Sequence, residues 1–82
     1  MKNGYTKIGY LYDADDVNDA ISLGTIYEIN ANSAPKNCPP SSGVTIHLLH
    51  GSWGVIQIAF HYQGAIYSRA AFNGGWSPWH TL

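Results

Sequence analysis

The chain has 82 residues, a single cysteine, a formal net charge of −1 and only 11% charged residues beside 45% hydrophobic ones, against a usual charged share of about 25%. One small domain of this length buries about 60 to 65% of the surface its unfolded form exposes, so its core alone is marginal, and a lone cysteine excludes an internal disulfide as the staple. The four basic residues, Lys2, Lys7, Lys36 and Arg69, are scattered and form no phosphate-neutralising stripe, which argues against nucleic acid as a partner.

No cysteine and histidine cluster has zinc spacing, so oligomerisation is the staple that remains. No apolar run approaches the roughly 18 to 20 residues of a membrane span, and the N-terminus has no apolar signal core, so membrane insertion is not expected. Met1 reads either as a natural start or as one placed ahead of the C-terminal part of a longer protein.

Residues 1–12 read as a lead-in, the end of a shaft or a linker, ahead of a domain spanning 13–82. The segment Asp13–Ile21 predicts a short helix, with Asp13 as N-cap, carboxylates in the first turn, and Val17, Ala20 and Ile21 on one face. Gly24 is a suitable C-terminal stop. Thr25–Ile29 is rich in β-formers and predicts a first strand. Asn30 to Gly43, with Pro35, Pro39 and Pro40, predicts a long loop, either functional or mobile.

Val44–Leu49 predicts the second strand, and Gly51-Ser52-Trp53-Gly54 the turn before a third run, Val55–Tyr62. Gln63-Gly64 turns the chain into a fourth run, Ala65–Phe72, closed by Asn73-Gly74-Gly75. The fold expected is α+β, mainly β: a short N-terminal helix packed on an antiparallel meander of about four strands. Along the third run Ile56, Ile58, Phe60 and Tyr62 face one side, and Val55, Gln57, Ala59 and His61 the other. A two-residue loop at Gln63-Gly64 would place Tyr67 across from Phe60, Arg69 from Ile58 and Ala70 from Gln57. A slip of one residue would move every side chain to the other face. Neither face is cleanly polar in any register, so one packs on the helix and the other is a subunit contact or a ligand surface.

Four segments together resemble the knob domains of bacteriophage tail fibres, tailspikes and R-type pyocins. They are Asn18-Asp19-Ala20-Ile21, followed by a glycine and an aromatic strand; Gly54-Val55-Ile56-Gln57-Ile58; Ile66-Tyr67-Ser68-Arg69; and Asn73-Gly74-Gly75-Trp76-Ser77-Pro78-Trp79. The similarity runs from about Asp13 to Leu82. It departs from the family near His80, where members often carry a basic residue. The resemblance implies a β-rich module near the distal end of a trimeric fibre or spike in the virion tail, acting outside the cell on a bacterial surface.

Trp76 and Trp79 flank Ser77-Pro78 and would face opposite sides of a regular strand. They read either as anchors pinning the C-terminal segment or as a platform on which the C–H face of a sugar stacks. Trp53, at a turn between glycines, is the better candidate for exposure. Arg69, the only arginine, could grip a carboxylate in two-pronged geometry, as an acidic polysaccharide or lipopolysaccharide would offer. Its structural alternatives are Glu28, an aspartate of the helix or an aromatic face.

His47, His50, His61 and His80 lack ligand spacing, so no metal and no cofactor is expected. Asp15, Asp16 and Asp19 read as first-turn carboxylates rather than a glycosidase pair, no Gly-x-Ser-x-Gly elbow occurs, and Cys38 reads as an ordinary thiol. The candidate ligand-binding residues are Trp53, Tyr62, Tyr67, Arg69, Asn73 and Trp76. The expected function is non-enzymatic recognition of a bacterial surface glycan by the C-terminal knob of a tail fibre or tailspike, with a homotrimer of the chain as the expected assembly. The alternative is a domain that trimerises the fibre and has no receptor contact of its own.

Overall fold

The computed structural model describes residues 7–82, and these form one twisted sheet with loops over one of its faces. In chain order the strands are β1 (Lys7–Leu11), β2 (Thr25–Ile29), β3 (Val44–Gly51), β4 (Gly54–His61), β5 (Ile66–Phe72), β6 (Gly75–Trp76) and β7 (His80–Thr81). Strands β1 to β6 lie in spatial order, and β7 pairs with β5. All pairs are antiparallel except β1 with β2, which run parallel with Gly9 opposite Tyr27. The sheet is therefore mixed and mostly β, which corrects the expected α+β meander of four antiparallel strands. The strand β1 falls within the stretch read as a lead-in.

The expected helix over Asp13–Ile21 does not form; a single 3-10 turn, Val17–Asp19, stands in its place. Its backbone groups have tertiary partners instead. Val17 N–H donates to the Lys36 carbonyl at 2.9 Å, and Lys36 N–H to that of Asp15 at 2.9 Å. The aspartates cap non-helical backbone: Asp15 accepts from Tyr12 N–H, Asp16 from Asn18 N–H, and Asp13 from Ala34 N–H, 21 residues away. Short polar side chains that bond nearby backbone compete with helix in this way. The crossover 12–24 and the loop 30–43 are thus laced together over the inner face.

That face is the core. Leu11 from β1, Ile29 from β2, Val44 and Ile46 from β3, Ala59 from β4 and Tyr67 from β5 meet Val17 and Ala20 of the crossover. Ile21, expected on the same helical face, is exposed because the turn ends at Asp19. Strand β4 alternates as anticipated: Val55, Gln57 and Ala59 are buried, and Ile56 and Ile58 stand on the other side.

The β4–β5 register differs from the expected one by one residue. Phe60 pairs with Ile66, Ile58 with Ser68 and Gln57 with Arg69. The cause is a three-residue loop, Tyr62-Gln63-Gly64. Gly64 N–H closes a turn onto the His61 carbonyl at 2.9 Å, and Gly64 has φ +105, a conformation that glycine adopts at little cost. The shift puts Arg69 and Tyr67 on the inner face, beside Gln57 and Ala59, rather than on the face of Ile58 and Phe60.

At the β3–β4 hairpin, a Cβ on Gly54 would stand 2.1 Å from the Ala71 carbonyl oxygen, which is backbone and has no rotamer by which to yield. Gly54→Ala should therefore cost about 3 kcal/mol in urea unfolding, and a cost below about 0.5 kcal/mol, ordinary for surface substitutions, would show that β4 and β5 separate here without penalty.

Candidate functional site

The inward alternation of β5 brings Arg69 opposite Gln57, whose side chain is wholly buried. Arg69 Nε–H donates to Gln57 Oε1 at 2.8 Å. The Gln57 amide donates to the Val17 carbonyl at 2.8 Å and to the Ala20 carbonyl at 3.0 Å, so one side chain joins the sheet to the crossover. A buried amide is tolerated because these three bonds replace those it made with water.

The segment after β5 then returns along its free edge. Trp76 pairs with Ala71, and His80 with Ser68. Between those pairs β5 contributes Arg69 and Ala70, whereas the returning strand contributes Ser77, Pro78 and Trp79, so one extra residue is accommodated. Ser77 N–H donates to the Ala70 carbonyl at 2.8 Å, and Ala70 N–H to Ser77 Oγ at 3.0 Å. Pro78, which has no N–H, sits where the ladder is interrupted. The extra residue changes the facing of Trp79, and both tryptophans come to the inner side, against the expectation of opposite facing.

The Arg69 guanidinium lies over both indoles, with Cζ 4.1 Å from the Trp76 ring centroid and 4.7 Å from that of Trp79. Cation–π contacts of a desolvated guanidinium contribute about 2 kcal/mol. Of the roles considered for Arg69, the aromatic face is the one this geometry fills. Trp79 Nε1–H donates to the Asn37 carbonyl at 3.0 Å, and its ring packs against the core. Burial lowers the Arg69 pKa to about 10, opposed by the charge of Asp16, so the side chain stays cationic at neutral pH. Asp16 is held below the usual carboxylate value chiefly by the bond from Asn37 Nδ2–H, then by that from Asn18 N–H.

These residues line a groove of about 660 Å³, bounded by Asn18, Asn37, Cys38, Arg69, Trp76 and Trp79. Two further grooves hold other candidates. Trp53 and Asn73 share one of about 440 Å³ at the hairpin end, with His50 and Phe72. Tyr62 borders another of about 520 Å³, with Glu28, Asn30, Phe60 and His61. Trp53 and Tyr62 are both exposed. Each is propped against a glycine, since a Cβ on Gly51 would lie 2.5 Å from the Trp53 ring and one on Gly43 would lie 2.8 Å from that of Tyr62.

The six residues singled out from the sequence therefore do not form one site. Arg69 and Trp76 meet in one groove, Trp53 and Asn73 in a second, and Tyr62 lines a third. Tyr67 belongs to the core, 7% exposed, with its hydroxyl 3.1 Å from Ser41 Oγ; it offers no free ring face. Sequence reasoning missed Asn18, Asn37 and Gln57. Gln57 had a legible signal, an amide on the inward side of an otherwise apolar strand, whereas the two asparagines lie in segments whose course only the fold defines.

Among the described residues no three His, Cys, Asp or Glu side chains converge as metal ligands. Among the same residues no helix is long and apolar enough to cross a membrane. The groove is walled by the Trp76 and Trp79 indoles, the Arg69 guanidinium stacked on them, and the Asn18 and Asn37 side chains. No protein-family model matches the chain, and no curated protein or solved structure matches it.

Replacing Gln57 with leucine keeps the volume but removes the partner of Arg69 Nε–H and the amide bonds to the Ala20 and Val17 carbonyls, of which Val17 keeps only the bond from Ala20 N–H. Gln57→Leu should lower unfolding free energy by about 3 kcal/mol and weaken the near-ultraviolet dichroism of the tryptophans; unchanged stability would show that the network is dispensable.

Proposed function

We propose that this chain is a non-enzymatic recognition module that binds a bacterial surface glycan, in the manner of the tail-fibre and pyocin knobs its motifs resemble. The observation that carries the reading is the groove in which Trp76 and Trp79 frame Arg69, with Asn18 and Asn37 at its wall. Indole faces cover the C–H side of a pyranose, and amides and a guanidinium meet hydroxyls and anionic substituents, the usual composition of a site that reads a polar, flat ligand. The exposed Trp53 and Tyr62 supply secondary contacts along a longer polymer.

The expected result is binding of the wild-type chain to a lipopolysaccharide or capsule fraction on a glycan array. Trp76→Ala should weaken that binding at least about tenfold, the loss of roughly 1.4 kcal/mol, with far-ultraviolet circular dichroism unchanged. Binding to no fraction at all would sink the reading.

A second reading, assembly of the fibre by sister copies, is favoured by the outer face of the sheet. Ile8, Tyr10, Leu49, Phe60 and Phe72 stand exposed there, between 41% and 60%, and Ile26, Ile56, Ile58 and Ile66 are half-buried among them. Among the described residues, Glu28 is the only charged side chain that the strand alternation places amid this apolar surface. A continuous patch of this kind marks an interface in soluble proteins. Light scattering at micromolar concentration should give a trimer for the wild type and a monomer for Ile56→Asp; a wild-type monomer discards this reading and leaves the groove untouched.

A further inference from the structure

We propose that the Trp76–Trp79 groove takes a saccharide carrying an anionic substituent, which Arg69 receives at Nη2 while a hydroxyl of the same sugar donates to Asn18 Oδ1. This rests on the glycan-recognition reading and names the chemistry at its site.

Two buried side-chain atoms among the described residues have no hydrogen-bond partner, Asn18 Oδ1 and Arg69 Nη2, and both residues line this groove. One is an acceptor and the other a charged donor. Arg69 is only 5% exposed, and its Nε–H is already committed to Gln57. Asp16 acts on the guanidinium through space, while its Oδ1 is occupied by Asn18 N–H and Asn37 Nδ2–H. The indoles answer the charge through their ring faces but accept no hydrogen bond in the guanidinium plane. A cation so desolvated favours an anion that accepts its remaining N–H groups, and a planar carboxylate or a phosphate has that shape. The orphaned Asn18 oxygen asks at the same time for a donor, which neither anion has and a sugar hydroxyl does.

Nη2 and Asn18 Oδ1 both have almost no solvent-exposed surface, and the two indoles lie over the guanidinium, so the ligand reaches these atoms only after a covering side chain moves. Trp79 is tied to the Asn37 carbonyl and packs on the core. Trp76 has no hydrogen bond to its indole among the described residues and sits on a strand of two residues, β6. Trp76 is the ring that yields.

The test follows the indole N–H resonances of the folded chain during titration with lipopolysaccharide and capsule fractions, native, carboxyl-reduced, and dephosphorylated with aqueous hydrogen fluoride. The expected result is a shift larger at Trp76 than at Trp79, and a loss of at least about tenfold in affinity on one of the two chemical treatments. Carboxyl reduction as the damaging treatment assigns the anion to a uronic or ulosonic acid, and dephosphorylation assigns it to a phosphate. Asn18→Asp, which places a rival carboxylate in the groove, should weaken binding of the native fraction by a similar factor; wild-type affinity should also fall as salt rises, a measurement that needs no variant.

Equal binding of all three preparations, with the Trp76 shift retained, would overturn the inference while the glycan reading stands. Binding of a fraction without any shift at either indole would do the same. If no fraction binds, both fall together.

Discussion

The side chain of Gln57 is the constraint on which the rest of the molecule depends. It is fully buried, and its amide spans 40 and 37 residues of sequence to hold the Val17 and Ala20 carbonyls. Those bonds seat the crossover on the sheet, where the absence of a regular helix leaves few other backbone bonds to do so. The same amide accepts from Arg69, which brings a cation into the interior. Low local dielectric makes such a network strong when satisfied and costly when broken. Arg69 in turn is accommodated because Trp76, paired with Ala71, already faces it and the extra residue at Ser77–Pro78 turns Trp79 to the same side. Amide, guanidinium and paired indoles form one dependent series that starts in the core and ends at the wall of a groove.

The scarcity of charge acquires a structural meaning in this arrangement. Asp13 accepts from Ala34 N–H and Asp16 from Asn37 Nδ2–H, so two aspartates lace the crossover to the loop 30–43, while Asp15 accepts from Tyr12 N–H within the crossover. The lacing covers the inner face of the sheet without a helix. Nothing comparable is done for the outer face, where Leu49 of β3 and isoleucines and aromatics of β1, β4 and β5 remain uncovered by the described residues. A domain of this size has little core to spare, and an apolar face left open in this way is the observation behind the assembly reading proposed for it. The groove and the open face lie on opposite sides of the sheet, so occupation of one does not obstruct the other.

Four central strands were legible in the sequence. Thr25–Ile29 was read to the residue, and Val44–Gly51, Gly54–His61 and Ile66–Phe72 to within two residues at either end, because alternating β-branched and aromatic residues bounded by glycine turns leave little ambiguity. The facing of Ile56 and Gln57 followed from the same alternation. Strand β1 was not legible: Lys7-Ile8-Gly9-Tyr10-Leu11 is short, carries a glycine at its centre and is a strand only because parallel β2 lies beside it. The helix expected at Asp13–Ile21 failed for the converse reason, since its caps and spacing were sound locally but Lys36, distant in sequence, bonded Asp15 and Val17 instead.

The site was legible as composition and illegible as geometry. Two tryptophans around Ser77-Pro78, one arginine and a neighbouring asparagine-glycine turn were visible as an unusual set, and of the six candidates drawn from the sequence the structure brings Arg69 and Trp76 into one groove. Their mutual facing turned on one loop residue at Gly64 and one bulged residue near Pro78, each of which inverts every side chain that follows. What the amino-acid order determined by itself is the run of strands, the alternation of β4 and the poverty of charge, all properties of neighbours along the chain. Tertiary structure alone decided the parallel first strand, the loss of the helix and the convergence of Gln57, Arg69, Trp76 and Trp79, because each depends on hydrogen bonds between residues whose proximity is created only by folding.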